Sequence, residues 1–164
     1  MENWKQRTEA LIGNEGCEKL ENAKVIIYGI GGVGSFACEG LVRAGIGSIA
    51  IVDNDTIDIT NINRQIHANI NTIGSQKIIA MKERILSINP KCNVEIYSNL
   101  DNEENLIDNT YAYVIDAVDT VKTKIQIIRT SKEKNVEIIS AMGVAKKMEP
   151  SMLKVSNISR NKSM

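Results

Sequence analysis

Little in this sequence favours export, membrane insertion or a metal-stapled core. No apolar run approaches the roughly 20 residues that a helix needs to span a bilayer. The start, MENWKQRTEA, lacks the apolar stretch of a secretory signal. Three cysteines, Cys17, Cys38 and Cys92, lie far apart, and no two form a C-x-x-C pair. That argues against a structural zinc and against a disulfide framework, which makes a reducing cytoplasm the simplest home. An excess of one charge is missing too, because 20 Lys+Arg balance 20 Asp+Glu. A protein held on nucleic acid mainly by counterion release usually carries a basic surplus. Any nucleic-acid partner must therefore be met by a local patch or by residues outside this chain. Internal repeats and low-complexity linkers are absent, and 164 residues fit one domain with a real core.

What is present is a regular alternation. The runs KVIIYG (24–29), SIAIVD (48–53), VEIYS (94–98), YAYVID (111–116) and VEIISA (136–141) are short and rich in Val, Ile and Tyr, the composition of strands. Helical patterns fall between them, at Gly32 to Ala44, Ser75 to Ile88 and Thr120 to Asn135. The second of these spaces Ile78, Ile79, Met81, Lys82, Ile85 and Leu86 at near-helical intervals and stops at Asn89-Pro90. A helical lead-in, Thr8 to Leu20 with a break near Gly13, precedes the first strand. The expected class is α/β, a Rossmann-like, mostly parallel sheet with helices on both faces. Ligands of such sheets sit beyond the carboxyl ends of the strands. The residues that matter are then Gly29 to Gly34, Asp53 to Arg64 and Asp116 to Thr120. Cys92 falls at the opposite rim, and Cys38 reads as a small core residue of its helix.

Gly29, Gly31 and Gly34 match G-x-G-x-x-G. The first permits a tight turn, the second lets a phosphate approach the backbone, and the third lets helix and strand pack closely. A helix opening near Gly32 offers unpaired N–H groups to an anion. Asp53 follows Gly34 by 19 residues and ends the second strand, where an acid can accept from ribose hydroxyls. The glycines also suit plain packing duty, and Asp53 also suits a turn.

A nucleotide fold of this type serves dehydrogenases and ATP users alike; the segment DNDTIDITNINRQIHANINTIGSQK separates them. About 20 polar residues stand between Asp53 and the next helix, and long ordered loops are often functional. Asn61, Asn63, Arg64, Gln65 and His67 follow one another closely there. Arg64 carries a permanent charge that forks onto phosphate oxygens, or it is a surface arginine. Asn61 and Gln65 hydrogen-bond oxygen without adding charge. Ser75 is a candidate N-cap that would put Lys77 in the first helical turn. A cation there opposes the helix dipole unless an anion sits beside it; otherwise Lys77 is a solvated lysine. Asp116 and Asp119 end the fourth strand facing the glycine turn. Asp119 either caps a helix or holds Mg²⁺ against phosphate oxygens. Glycine turn, arginine, lysine and carboxylate together suit charge developing at the α-phosphorus of a triphosphate. A nicotinamide enzyme needs no such set and ranks last. His67, the single histidine, reads as a hydrogen-bonded scaffold residue. The acidic DNEENLID (101–108) and the basic lean of Lys146, Lys147, Lys154, Arg160 and Lys162 suit solvated faces, or for the basic one a contact with RNA.

GIGGVGS, DNDTIDITNINRQIHA, GSQK and YVIDAVDT together resemble the E1-like (ThiF/HesA-type) activating enzymes. RTEALIG, TNINRQIHA, INPKCNVE and SAMGVAKKMEP resemble the branch that acts on tRNA carrying threonylcarbamoyladenosine. The resemblance covers nearly the whole chain. It implies ATP as co-substrate, Mg²⁺ as cofactor, and ATP-driven dehydration of N6-threonylcarbamoyladenosine at tRNA position 37 through an acyl-adenylate. It implies a catalytic set of Asn61, Arg64 and Lys77. Nucleotide contacts would come from Gly29, Gly31, Gly32, Gly34, Asp53, Asp55, Gln65 and Asp119, with Asp119 also the metal ligand. It also implies a homodimer, in which an N-terminal arginine, here Arg7, completes the partner's ATP site. Two departures stand out. Met142-Gly143-Val144-Ala145 replaces the family's Met-Gly-Ala-Gly, removing backbone freedom. Relatives also continue into a further segment, so the expectation is one E1-like nucleotide-binding domain over 1–164 that lacks it. Alternatives are activation of a ubiquitin-like sulfur carrier and a non-catalytic nucleotide-binding module.

Overall fold

The computed structural model describes residues 4–98, 106–143 and 149–158; Val144 to Lys147, with the family departure at Ala145, lie outside them. Five strands, β1 (Lys24–Tyr28), β2 (Ser48–Val52), β3 (Asn93–Tyr97), β4 (Tyr113–Asp116) and β5 (Glu137–Ser140), form one sheet in the order β3-β2-β1-β4-β5. Every pairing is parallel, so the expected α/β class holds. Helices α2 (Gly34–Ala44), α3 (Lys77–Ile88) and α4 (Val121–Glu133) supply the crossovers. Alternate residues of β1 and β2 divide between two cores. Ile27, Ile49 and Ile51 pack with Cys38, Val42, Ile78, Met81 and Ile85 from α2 and α3. Ile26, Ala50 and Val52 pack with Tyr111 and Ile127 on the α4 side. Each isoleucine so enclosed contributes about 1.5–3 kcal/mol through burial.

The chain winds outward from β1 to β3, then returns to place β4 on the other side of β1. The crossovers on the two sides of β1 therefore diverge, which opens a crevice at the carboxyl ends of β1 and β4. Cys92 precedes β3 at the amino rim, as the sequence implies, and is buried.

Helix α1 (Gln6–Asn22) is longer than its predicted span and folds back at Gly13, whose φ of 72° and ψ of 173° break the helix. Only glycine adopts that backbone readily. A straight helix would separate Lys5 from Glu21 by about 24 Å, yet the two form an ion pair. The stem of Lys5 also covers Gly45, just past the end of α2. The first turn of α1, including the exposed Arg7, therefore lies at the amino rim, away from its own glycine turn.

Glu39 on α2 is 7% exposed and accepts from Arg43 Nε at 2.7 Å and from Arg84 of α3 through Nε at 2.9 Å and Nη2 at 2.8 Å. The Arg84 hydrogen bond first, then Arg43, hold its carboxyl below the usual range against the opposing effect of burial. This triad fixes α3 against α2, and thereby orients the residue that opens α3, Lys77.

Candidate functional site

The turn between β1 and α2 is shaped by what a side chain would strike. A Cβ at Gly29, where φ is 84°, would meet the Ala117 carbonyl oxygen at 2.8 Å. One at Gly34 would come within 1.8 Å of the Gly29 carbonyl oxygen, whereas one at Gly31 meets nothing within 4 Å. Two glycines thus permit close packing of β1, α2 and the exit of β4, and Gly31 keeps the rim open. Helix α2 begins at Gly34, two residues later than the pattern suggested, because 31–33 form the turn itself. The N–H groups of Gly31, Gly32 and Val33 find no acceptor among the described residues, which is the condition for an anion cradle.

Asp53 lies beside this turn, at the end of β2, and is 6% exposed. Its Oδ2 accepts from the Ile30 N–H at 2.6 Å and its Oδ1 from the Asp55 N–H at 2.9 Å. The carboxylate ties the glycine turn to the loop that follows β2. Lys77 joins the same cluster. Its ammonium, 6% exposed as a residue, is 2.5 Å from Asp55 Oδ2 and 4.0 Å from Asp53 Oδ1. Ser75 does not cap α3. Its carbonyl accepts from Ile57, and Thr56 bridges Gln76, so residue 75 is drawn into extended pairing. Gln76 is the N-cap, with no side-chain cap bond, and Lys77 is the first helical residue.

The long loop returns over the turn. A Cβ on Gly32 would meet Arg64 Cγ at 3.3 Å and Cδ at 3.5 Å, so the arginine stem runs along the glycine turn. Its Nη1 donates to the Thr60 carbonyl and to Asn63 Oδ1, each at 3.0 Å. Asn61 is buried, and its Oδ1 accepts from the Asp58 N–H at 3.0 Å in a reciprocal capping box. Its NH₂ group is what remains for an incoming oxygen. Gln65 and His67, which read as polar-loop residues, are instead 5% and 3% exposed. Burial first, then the nearby Lys77 charge, push the His67 imidazole down to about 4, so it is neutral at physiological pH.

The two acids after β4 part company. Asp116 is fully buried, and its Oδ2 accepts from Lys124 Nζ at 2.7 Å and Ser140 Oγ at 2.5 Å. Lys124 of α4 thus draws Oδ2 inward, while Oδ1 accepts from the Val118 N–H at 3.2 Å, in the loop beside the glycine turn. Asp119 is exposed, and its Oδ1 accepts only from the Thr120 hydroxyl, at 3.4 Å, among the described residues. Thr120 occupies the N-cap of α4 without a side-chain cap bond, so Asp119 does not cap the helix. Its loop abuts the glycine turn, since Val118 N would be 3.0 Å from a Cβ on Gly29.

Two cations, an open set of backbone N–H groups and an outward carboxylate thus share one rim, a set whose chemistry suits a polyphosphate. Thiol chemistry is poorly served at Cys38 and Cys92, for burial drives the Cys38 thiol far up and the Cys92 thiol up to about 11. Among the described residues, no helix is long and apolar enough to cross a membrane.

The chain is similar to the tRNA threonylcarbamoyladenosine dehydratase of Bacillus subtilis, at 43% identity over 157 residues, 94% of this chain and 62% of that protein. The dehydratase of the same name from Escherichia coli is 36% identical over 163 residues, 96% of this chain and 61% of its own. A crystal structure of the E. coli enzyme in complex with ATP superposes with a TM-score of 0.92 at 34% identity, covering 99% of this chain and 69% of that one. The chain thus spans about three-fifths of the length of the curated relatives it matches. The ThiF family model matches residues 5–161, and the chain belongs to the ThiF family.

Proposed function

We propose that this chain performs the ATP-dependent dehydration of N6-threonylcarbamoyladenosine at position 37 of tRNA. The observation that carries the reading is the approach of Arg64 and Lys77 to one glycine turn, with the Arg64 stem on Gly32 and the Lys77 ammonium beside the acid that binds Ile30. The dehydratases it resembles include one solved with ATP. In this reading, the N–H groups of residues 31–33 and the Lys77 and Arg64 charges hold the triphosphate. Asp53 would accept from the ribose hydroxyls, and Asn61 would direct its NH₂ to a phosphate oxygen. The threonylcarbamoyl carboxylate attacks the α-phosphorus and pyrophosphate leaves. Attack within the acyl-adenylate then closes a ring and expels AMP, which carries away the oxygen formally lost as water. Lys77 and Arg64 stabilise charge on the phosphates as the first bond forms. Asp119, outward and lightly bound, would hold Mg²⁺, a cation that commonly takes one or two carboxylates plus phosphate oxygens; when bound it would neutralise triphosphate charge.

The test is mass spectrometry of nucleosides from threonylcarbamoylated tRNA incubated with the chain, ATP and Mg²⁺. A product lighter by one water, with AMP in equal amount and both lost on chelation of Mg²⁺, is expected. Unchanged nucleosides together with pyrophosphate exchange on a sulfur-carrier protein would transfer the assignment to that activity.

A tRNA substrate suits a cytoplasmic enzyme. Arg7, at the rim opposite its own glycine turn, can serve only a site on another copy, so the working form is proposed to be a homodimer. Sedimentation at micromolar concentration is expected to show two-chain particles; a lone monomer would remove Arg7 from the site.

A further inference from the structure

The residues following Arg64 leave hydrogen-bonding capacity unused in an enclosed place. Both ring nitrogens of His67 and the side-chain oxygen of Gln65 are buried without a hydrogen-bond partner among the described residues. Buried polar atoms are rarely left so, because each unmet group costs about 1–3 kcal/mol. The backbone of this stretch is well tied. The Gln65 N–H donates to the Asn61 carbonyl at 2.9 Å, and the His67 carbonyl accepts from Thr72 Oγ1 at 3.0 Å. Ala68 packs against Ala80 in the first turns of α3 and against Ile57. The imidazole is thus fixed beside the start of the helix that Lys77 opens.

Lys77 has the complementary surplus. An ammonium has three N–H donors, and among the described residues only Asp55 accepts one; Asp53, at 4.0 Å, is an ion-pair neighbour. Donors on one side and acceptors on the other, in a polar and enclosed place, are the setting in which a buried water is retained. We propose that His67 is a positioning residue that, with the Gln65 side-chain oxygen, holds an ordered internal water accepting from the Lys77 ammonium. The lysine is thereby aimed from behind while Asp55 restrains it from the front. The imidazole suits this role because it stays neutral, offering one acceptor and one donor without repelling the lysine. Both of its ring nitrogens are buried, so it acts through Lys77.

The inference rests on the phosphate role of Lys77 for its consequence in catalysis, but its test does not need a substrate. Lys77 reactivity is measured by acetic-anhydride labelling at neutral pH and peptide mass spectrometry, in the full chain and in His67→Leu and His67→Asn. Loss of the water withdraws an acceptor from a buried ammonium, so labelling in His67→Leu is expected to rise about fivefold, the scale of one water-mediated bond. The melting temperature should fall as well. His67→Asn, which keeps a donor and an acceptor, is expected to stay within about twofold of the parent in labelling, and it carries the test alone if His67→Leu does not fold. Should His67→Leu melt at the same or a higher temperature with unchanged labelling, the imidazole was a dry, unsatisfied group and the proposal fails. Labelling raised equally in both variants also overturns it, since that would mark general loosening. If labelling shifts as expected but the parent chain releases no AMP with threonylcarbamoylated tRNA, the proposed function fails while this inference stands.

Discussion

On the proposed function, Lys77→Ala is expected to lower ATP-dependent AMP release, as kcat/KM, by about 10²–10³, the scale on which one preorganised electrostatic partner stabilises a transition state. Arg64→Ala is expected to fall by a comparable factor. The two variants differ in what they do to the fold, and this makes the pair informative. Arg64 is exposed, with its guanidinium on its own loop, so its loss should change stability by no more than about 0.5 kcal/mol. Lys77 is enclosed, but its removal strands neither acid. Asp55 has a side chain 62% exposed, and Asp53 keeps two backbone N–H donors. A loss of about 1–2 kcal/mol is expected, well short of unfolding a domain of this size. Isothermal calorimetry with ATP and a thermal melt separate binding from folding. Normal AMP release by either variant would exclude that side chain from the mechanism.

Much of this site could be read from the chain because its parts are local. A strand, a glycine turn and a helix are contiguous from Lys24 to Ala44, and the acid ending β2 sits at a fixed sequence distance. Lys77 stood out because a cation at a helix N-terminus is out of place without an anion. What stayed hidden depends on contacts between distant segments. Nothing near Asp116 announces that Lys124, eight residues on in the first turn of α4, will pair with its carboxylate. His67 sits among asparagines, yet it is buried next to Ala68, which packs on Ala80 and Ile57. Ser75 has the chemistry of a cap, yet pairing of the loop with Ile57 decides its backbone. Gly13 was legible as a break in α1, but not as a reversal that carries Arg7 to the far rim; the Lys5 to Glu21 pair shows that.

Gly34→Ala tests whether the turn is held by packing, and its expected effect on stability is the largest among the substitutions considered. The added methyl would lie 1.8 Å from the Gly29 carbonyl oxygen and 3.3 Å from Ala117 Cβ. Relief would require moving backbone, and that backbone is tethered, for the Gly29 N–H donates to the Val52 carbonyl at 2.8 Å. Room on the β4 side is short as well, since even a Cβ on Gly29 would meet the Ala117 carbonyl oxygen at 2.8 Å. A loss of about 3 kcal/mol, the upper part of the usual overpacking range, is expected, equivalent to a fall of roughly 10 °C in Tm. Gly31→Ala supplies the contrast. Its methyl meets no protein atom within 4 Å and its φ is not in the left-handed region, so Tm should move by no more than about 2 °C. If a phosphate lies against that backbone, however, the same methyl occupies its place, and ATP affinity should drop by about tenfold or more. An unstable Gly34→Ala beside a stable Gly31→Ala that no longer binds ATP would assign packing to one glycine and ligand clearance to the other. Gly34→Ala melting with the parent would show that the turn yields. Gly31→Ala binding ATP as the parent does would move the triphosphate off the turn.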